Sequence, residues 1–240
     1  LIAEHARHVA VGGTVLIANP LAAAGRRQMI WCAADLAADR GHRWRAMPTW
    51  RQAVDALMVT PALARQQTRV LAADNLIYCV SADTVTRLQE IAPARAKTIR
   101  RLPIPVDTDF FTPAEPVPHG GCRIGFAGRL DDPRKNAGLL FAMLADLRSR
   151  GFDATLALTG TPSPALSDLA ARHDVTAAVS FAGVLDAEAL RRFYQSLDVF
   201  VIASLHEGLA IAGLEAMACG VPVVSTRCGG PADYVFDGKT

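Results

Sequence analysis

The sequence has few cysteines, few aromatic residues and almost no net charge, and each shortage removes a class of protein. Its five cysteines (Cys32, Cys79, Cys122, Cys219 and Cys228) are odd in number and contain no C-x-x-C pair. A disulfide scaffold or zinc ribbon is therefore excluded, and buried thiols in a reducing, cytoplasmic setting are expected. Lysine and arginine exceed aspartate and glutamate by only two. That balance is too mild for nucleic acid as a partner, though it leaves a peripheral contact with an anionic membrane surface open. Long apolar runs are also absent. The longest uncharged stretch, 9–25, is broken by Gly12-Gly13, Asn19 and Pro20, too short and interrupted to span a bilayer. Glu4 stands where a signal peptide would carry basic residues. No G-x-G-x-x-G follows a predicted strand, which removes a dinucleotide-dependent dehydrogenase. No internal repeat or low-complexity tract is present.

What remains is a core-forming α/β pattern. Hydrophobic residues are 51% of the 240 and mean hydropathy is +0.21, enough for one or two domains. Helices are predicted over 1–9, 28–40 (ending at Gly41) and 50–71, the last split or kinked by Pro61. Strands are predicted over 14–18, 75–80 and 97–102, and Ser81 caps a helix over 82–91. Five prolines between Pro103 and Pro118 interrupt the periodicity and mark a linker. Beyond it the alternation resumes, with strands over 122–127, 154–159, 179–183, 199–202 and 221–225. Helices over 139–150, 165–173, 187–197 and 211–219 lie between them. Alternating strands and helices imply parallel sheets with crossover helices. The expected domains are a partial Rossmann-like unit over 1–106, a linker over 107–121 and a second Rossmann-like unit over 122–240. Both units are expected to be truncated, since the chain opens without methionine and few strands precede the linker.

The stretch from Ser196 to Gly230 carries most of the chemistry. Val199-Phe200-Val201-Ile202 reads as a strand buried on both faces, His206-Glu207-Gly208 as a polar break, and Ile211–Cys219 as a helix stopped by Gly220 and Pro222. A helix amino terminus beside a strand's carboxyl end favours a phosphate. Glu207 and Glu215 flank that terminus. A carboxylate does not favour a diphosphate but accepts well from a vicinal diol, so the pair suggests sugar hydroxyls with a phosphate between them, a nucleotide-sugar. Two glutamates on a short helix are otherwise ordinary solvated charges. A second cluster, Gly128-Arg129-Leu130-Asp131-Asp132-Pro133-Arg134-Lys135, leaves a strand and enters a helix. Arg129 and Lys135 there form either a phosphate clamp or a solvated mixed-charge loop, with Arg134 expected in solvent.

These residues resemble the signature of retaining glycosyltransferases of the GT-B fold, the glycosyl transferases group 1 family. Glu207 and Glu215 eight apart, Ala216-Met217-Ala218, Gly220, Pro222-Val223-Val224 and Gly229-Gly230 match it in one block. Val106-Asp107, Phe111 and Pro113 resemble the family hinge, with Pro105 in place of its glycine. The resemblance implies two Rossmann-like domains facing a cleft and a nucleoside-diphosphate-sugar as co-substrate. It implies no cofactor or metal, and transfer of a sugar with retained anomeric configuration. Arg129 and Lys135 would grip the diphosphate and neutralise it as it leaves. Glu207 would hold sugar hydroxyls, Glu215 the ribose diol, and the backbone near Val184 the base. The loop and helix start, Gly208, Leu209, Ala210 and Ile211, would add donor contacts, with His206 lining the pocket. Leu209 and Ala210 replace an aromatic residue and a glycine of the family pattern, and a methyl at Ala210 crowds the donor loop. The acceptor, whether saccharide, lipid or small molecule, is not readable. Two other readings stay open, a non-catalytic nucleotide-sugar-binding subunit and a nucleotide-sugar epimerase of the same fold.

Overall fold

The computed structural model describes residues 5, 7–45, 47–115 and 120–240. Contacts divide the chain into two compact units, Leu1–Ile104 with His206–Leu209, and Pro105–Leu205 with Ala210–Thr240.

In the first unit, β1 (Val9–Gly12), β2 (Met29–Cys32), β3 (Leu76–Cys79) and β4 (Ile99–Arg101) form one parallel sheet in the order β1-β2-β3-β4. Ala10, Ile30, Ile77 and Ile99 lie side by side across the four strands and are all buried. Side chains alternate along each strand, so Val9 and Val11 point the other way and are about 60% exposed. The helices are α1 (Asn19–Ala23), α2 (Leu36–Arg45), α3 (Thr49–Val54), α4 (Thr60–Ala72) and α5 (Ala82–Ile91).

Three readings of this half are corrected. The helix expected over 1–9 lies partly outside the described residues, and its last residue, Val9, opens β1. The strand expected over 14–18 is a 3-10 turn, Val15–Ala18, begun by the Thr14 hydroxyl, which accepts from the Leu16 amide. Val15 and Ala18 are buried while Ile17 is exposed, a spacing of three rather than two. The helix expected over 28–40 is instead β2 followed by α2, which starts where the Asp35 carboxylate accepts from the Ala38 amide and runs through Gly41. The long helix is divided just before Pro61, as expected: α3 gives way to a π turn, Asp55–Val59, in which the Thr60 amide reaches the Asp55 carbonyl, and α4 opens with Pro61 in its first turn.

The second unit holds β5 (Cys122–Phe126), β6 (Ala154–Leu158), β7 (Val179–Phe181), β8 (Val199–Ile202) and β9 (Val223–Ser225), all parallel. Its helices are α6 (Ala137–Ser149), α7 (Pro164–Arg172), α8 (Ala187–Gln195) and α9 (Ile211–Ala218). The order β7-β6-β5-β8-β9 reverses direction at β5, so a switch point lies between β5 and β8. Apolar clusters cover both faces, and the strands divide between them residue by residue. Leu156 and Leu158 join Ile124, Phe126 and Leu140 on one side. Ala157, Phe200 and Ile202 join Phe111, Phe193 and Tyr194 on the other. Unbroken apolar runs are what strands covered on both faces require. Residues 107–112 pack onto this unit: Phe111 is buried in the second cluster, and Gln195 of α8 donates to the Thr112 carbonyl at 2.7 Å.

Candidate functional site

The loops leaving β5, β6 and β7 meet above the carboxyl ends of their strands. Gly128, with φ +155°, donates its amide to the Thr159 hydroxyl at 3.0 Å. Gly160 and Gly183, at φ +90° and +77°, join through an amide–carbonyl bond of 2.6 Å. A side chain at these dihedrals would be strained, so glycine is what lets the three loops close on one another. They bound an open cavity of about 610 Å³, whose far wall is Leu190 and Tyr194 of α8 with Ala212 and Glu215 of α9.

Arg129, Val184 and Glu215 share this cavity. The Arg129 side chain is 78% exposed, and its guanidinium lies 3.9 Å from the Asp132 carboxylate. The Glu215 carboxylate accepts a 2.7 Å hydrogen bond from the Tyr194 phenol. Tyr194 is fully buried, and burial, then the neighbouring Glu215 charge, pushes its phenol far above the ordinary range, so it remains a donor. Lys135 does not line the cavity. It closes the 3-10 turn Pro133–Lys135, and its Cε would lie 3.5 Å from a Cβ added to Gly128, beside the same loop.

Glu207, Gly208, Leu209, Ala210 and Ile211 do not line the cavity either, nor does His206. His206–Leu209 group with the first unit, and Leu209 and His206 are buried. Ala210 is the residue before α9 and holds a left-handed conformation, φ +58°. Its carbonyl accepts from the Tyr234 phenol at 2.8 Å, and Ile211 opens the helix.

Arg134, expected in solvent, is only 16% exposed. Its guanidinium forks onto the Asp132 carboxylate through bonds of 3.1, 3.1 and 2.7 Å, and its carbonyl accepts from the Leu205 amide. It holds the shape of the loop that carries Arg129. Sequence reasoning also missed Tyr194, which sits 21 residues from Glu215 with no local pattern linking them. The sequence's Asp-x-Asp, Asp107-Thr108-Asp109, lies in the segment after the first unit. There one Asp107 oxygen accepts from the Asp109 and Phe110 amides at 3.1 and 3.0 Å, a turn-capping role. Among the described residues no cluster of three or more histidine, cysteine, aspartate or glutamate side chains has metal-holding geometry. No described helix is long and apolar enough to cross a membrane.

A parallel sheet with a glycine-walled cavity over its switch point, lined by one cation (Arg129) and two carboxylates (Asp131 and Glu215), is the architecture of α/β nucleotide-binding domains. A sequence profile narrows that class: residues 121–240 match glycosyl transferases group 1, and the chain belongs to that family. A D-inositol 3-phosphate glycosyltransferase of Arthrobacter sp. (strain FB24) is 36% identical over 149 residues, covering 56% of this chain and 35% of that protein. A GDP-mannose-dependent alpha-(1-6)-phosphatidylinositol monomannoside mannosyltransferase of Mycolicibacterium smegmatis is 34% identical over 186 residues, 66% of this chain and 48% of that protein. The chain thus spans less than half the length of these relatives. Among solved structures, sucrose-phosphate synthase from Thermosynechococcus elongatus superposes with TM-score 0.74 at 19% identity, over 95% of this chain and 58% of that one. The apo lipopolysaccharide outer core galactosyltransferase WaaB gives 0.67 at 18%, over 99% and 61%. These likenesses place the fold among GT-B glycosyltransferases.

Proposed function

We propose that this chain carries the donor-binding part of a retaining glycosyltransferase, which moves a sugar from a nucleoside-diphosphate-sugar to an acceptor hydroxyl. The observation that carries this reading is the placement of Arg129, Val184 and Glu215 around one glycine-walled cavity at the strand ends. Glu215 takes the ribose diol, the Val184 backbone faces the base, and Arg129 with Lys135 meets the diphosphate. Charge grows on the diphosphate as the sugar leaves, so fixed cations stabilise the transition state more than the ground state. The leaving group departs and the acceptor attacks on one face, which retains configuration. Glu207, with Gly208, Leu209, Ala210 and Ile211, serves the sugar end of the donor. Arg129 and Lys135 supply the positive charge, and the reaction needs no metal. The relatives' names refer to inositol phosphate and phosphatidylinositol mannoside, and we carry an inositol-type acceptor over as the class to try first.

A peripheral membrane contact forms part of this reading, through the exposed face of α3 and the π turn. Trp50, Val54, Leu57 and Met58 stand at helical spacing there and are 64%, 47%, 79% and 70% exposed. Asp55, the acidic residue within that stretch, is buried against Arg40.

Calorimetric titration of nucleoside diphosphate tests the assignment without an acceptor. Glu215→Gln should weaken both free nucleoside diphosphate and the intact donor, because ribose is common to them. Glu207→Gln should spare nucleoside diphosphate and weaken the donor alone. The reverse pattern would show that the donor lies the other way round.

A further inference from the structure

We infer that Tyr194 is a positioning residue: its phenol fixes the Glu215 carboxylate in the cavity and so sets how strongly the site selects a ribose diol over deoxyribose. This rests on the reading that Glu215 receives the ribose. Glutamate has three side-chain torsions, and a carboxylate at a half-buried helix position can turn among several rotamers. Accepting two hydroxyl groups at once needs the carboxylate plane held at one angle. The 2.7 Å bond from Tyr194 supplies that restraint at one oxygen, leaving further acceptor positions on the group for a ligand.

The phenol that donates is held by core packing. The Tyr194 ring is fully buried, with edge contacts to Phe111 at 6.0 Å, Phe193 at 6.0 Å and Phe200 at 5.6 Å between centroids. Its helix is pinned in turn, because Gln195 donates to the Thr112 carbonyl and Arg191 to the Phe110 carbonyl. An aromatic core residue with no polar task would be filled as well by phenylalanine. Here the hydroxyl emerges from the core at the cavity wall and touches the one carboxylate of α9. Tyr194 does not need to touch the ligand to act, since its effect passes through Glu215.

The test compares a ribonucleoside diphosphate with its 2′-deoxy counterpart by calorimetry on the wild-type chain, Tyr194→Phe, Glu215→Gln and the double variant. Hydrogen bonds to a charged group imply a wild-type preference for ribose of roughly tenfold or more. Tyr194→Phe should cut that preference by about three- to tenfold, Glu215→Gln should remove it, and the double variant should match Glu215→Gln. A purely structural role for Tyr194 would weaken both ligands alike and leave the ratio unmoved. If the wild type prefers ribose, Glu215→Gln loses the preference and Tyr194→Phe keeps it, this inference fails and the Glu215 reading stands. If the wild type binds both ligands alike, the Glu215 reading fails and this inference falls with it. Should Tyr194→Phe not fold, 3-fluorotyrosine at position 194 keeps the ring and strengthens the donor. An unchanged ribose preference in that protein overturns the inference.

Discussion

Replacing Gly213 with alanine sets two effects of opposite sign against each other. Gly213 lies inside α9, where alanine is a better helix former than glycine by about 0.8–1.0 kcal/mol. Its surroundings argue the other way. A Cβ there would sit 2.6 Å from the Tyr234 hydroxyl oxygen and 2.8 Å from Ile202 Cδ1, both inside contact distance. Ile202 is buried in the sheet core and cannot retreat freely. Tyr234 can move only by giving up its bond to the Ala210 carbonyl, which helps hold Ala210 in its left-handed conformation. Overpacking costs about 1–3 kcal/mol, and the lost hydrogen bond about 0.5–1.5 kcal/mol. Against the propensity gain the expected net loss is about 1–3 kcal/mol. Amide hydrogen exchange along α9 reads this locally, as a fall in protection of roughly 5- to 150-fold. Tyr234→Phe alone should cost only the hydrogen-bond share. The double variant should be less damaged than the sum, because the hydroxyl nearest the new methyl is gone. Protection in Gly213→Ala equal to or above wild type would mean that propensity outweighs packing, and the reasoning would be wrong.

Arg129→Ala and Lys135→Ala should each lower kcat/KM by about 2–4 kcal/mol of transition-state stabilisation, seen in steady-state transfer assays. A loss confined to KM would show uniform binding instead. Transfer should persist in excess chelator, and complete loss restored by magnesium would count against charge stabilisation by the two cations. Leu57→Glu with Met58→Glu should reduce sedimentation with anionic vesicles while leaving the melting temperature unchanged. Unchanged sedimentation of that double variant would defeat that surface. Burial holds the His206 pKa below its ordinary 6.5, so its neutral form is the one the fold prefers. Its contribution is intact above about pH 6.5 and is lost as pH falls from there through the lowered folded-state pKa. Denaturant midpoints of His206→Gln should show less of that acid-side decline than wild type.

The second unit was more legible than the first for a physical reason. Val199–Ile202 and Ala154–Leu158 are covered on both faces, so they stand out as apolar runs without any need to guess a face. Val9–Gly12 is an edge strand with exposed valines, inside an uncharged stretch that also encodes a 3-10 turn and a short helix. No single period describes that stretch, and its strand begins at Val9, five residues before the expected 14–18. That Arg129, Val184 and Glu215 sit near strand ends and line one cavity was legible because each belongs to a motif of short, fixed spacing. Tyr194 was not, since its role depends on α8 and α9 meeting in space. Arg134 was misread because a two-residue fork onto Asp132 depends on the turn between them, which spacing alone does not specify.

The strand order β7-β6-β5-β8-β9 also decides when the cavity can come into being during synthesis. β5, β6 and β7 emerge in succession, and each can pair with the strand just made, so their glycine-bearing loops are laid side by side early. β8 must then pass back across to the other side of β5, a longer closure in sequence and a slower one. Glu215 follows it on α9, and the phenol that meets it has been waiting on α8. A nascent chain halted before Ile211 would therefore own Arg129, Asp131 and the glycine loops but not the Glu215 carboxylate. On the proposal that Glu215 takes the ribose, ribose selection arrives only after the chain crossing that sets β8 on the other side of β5.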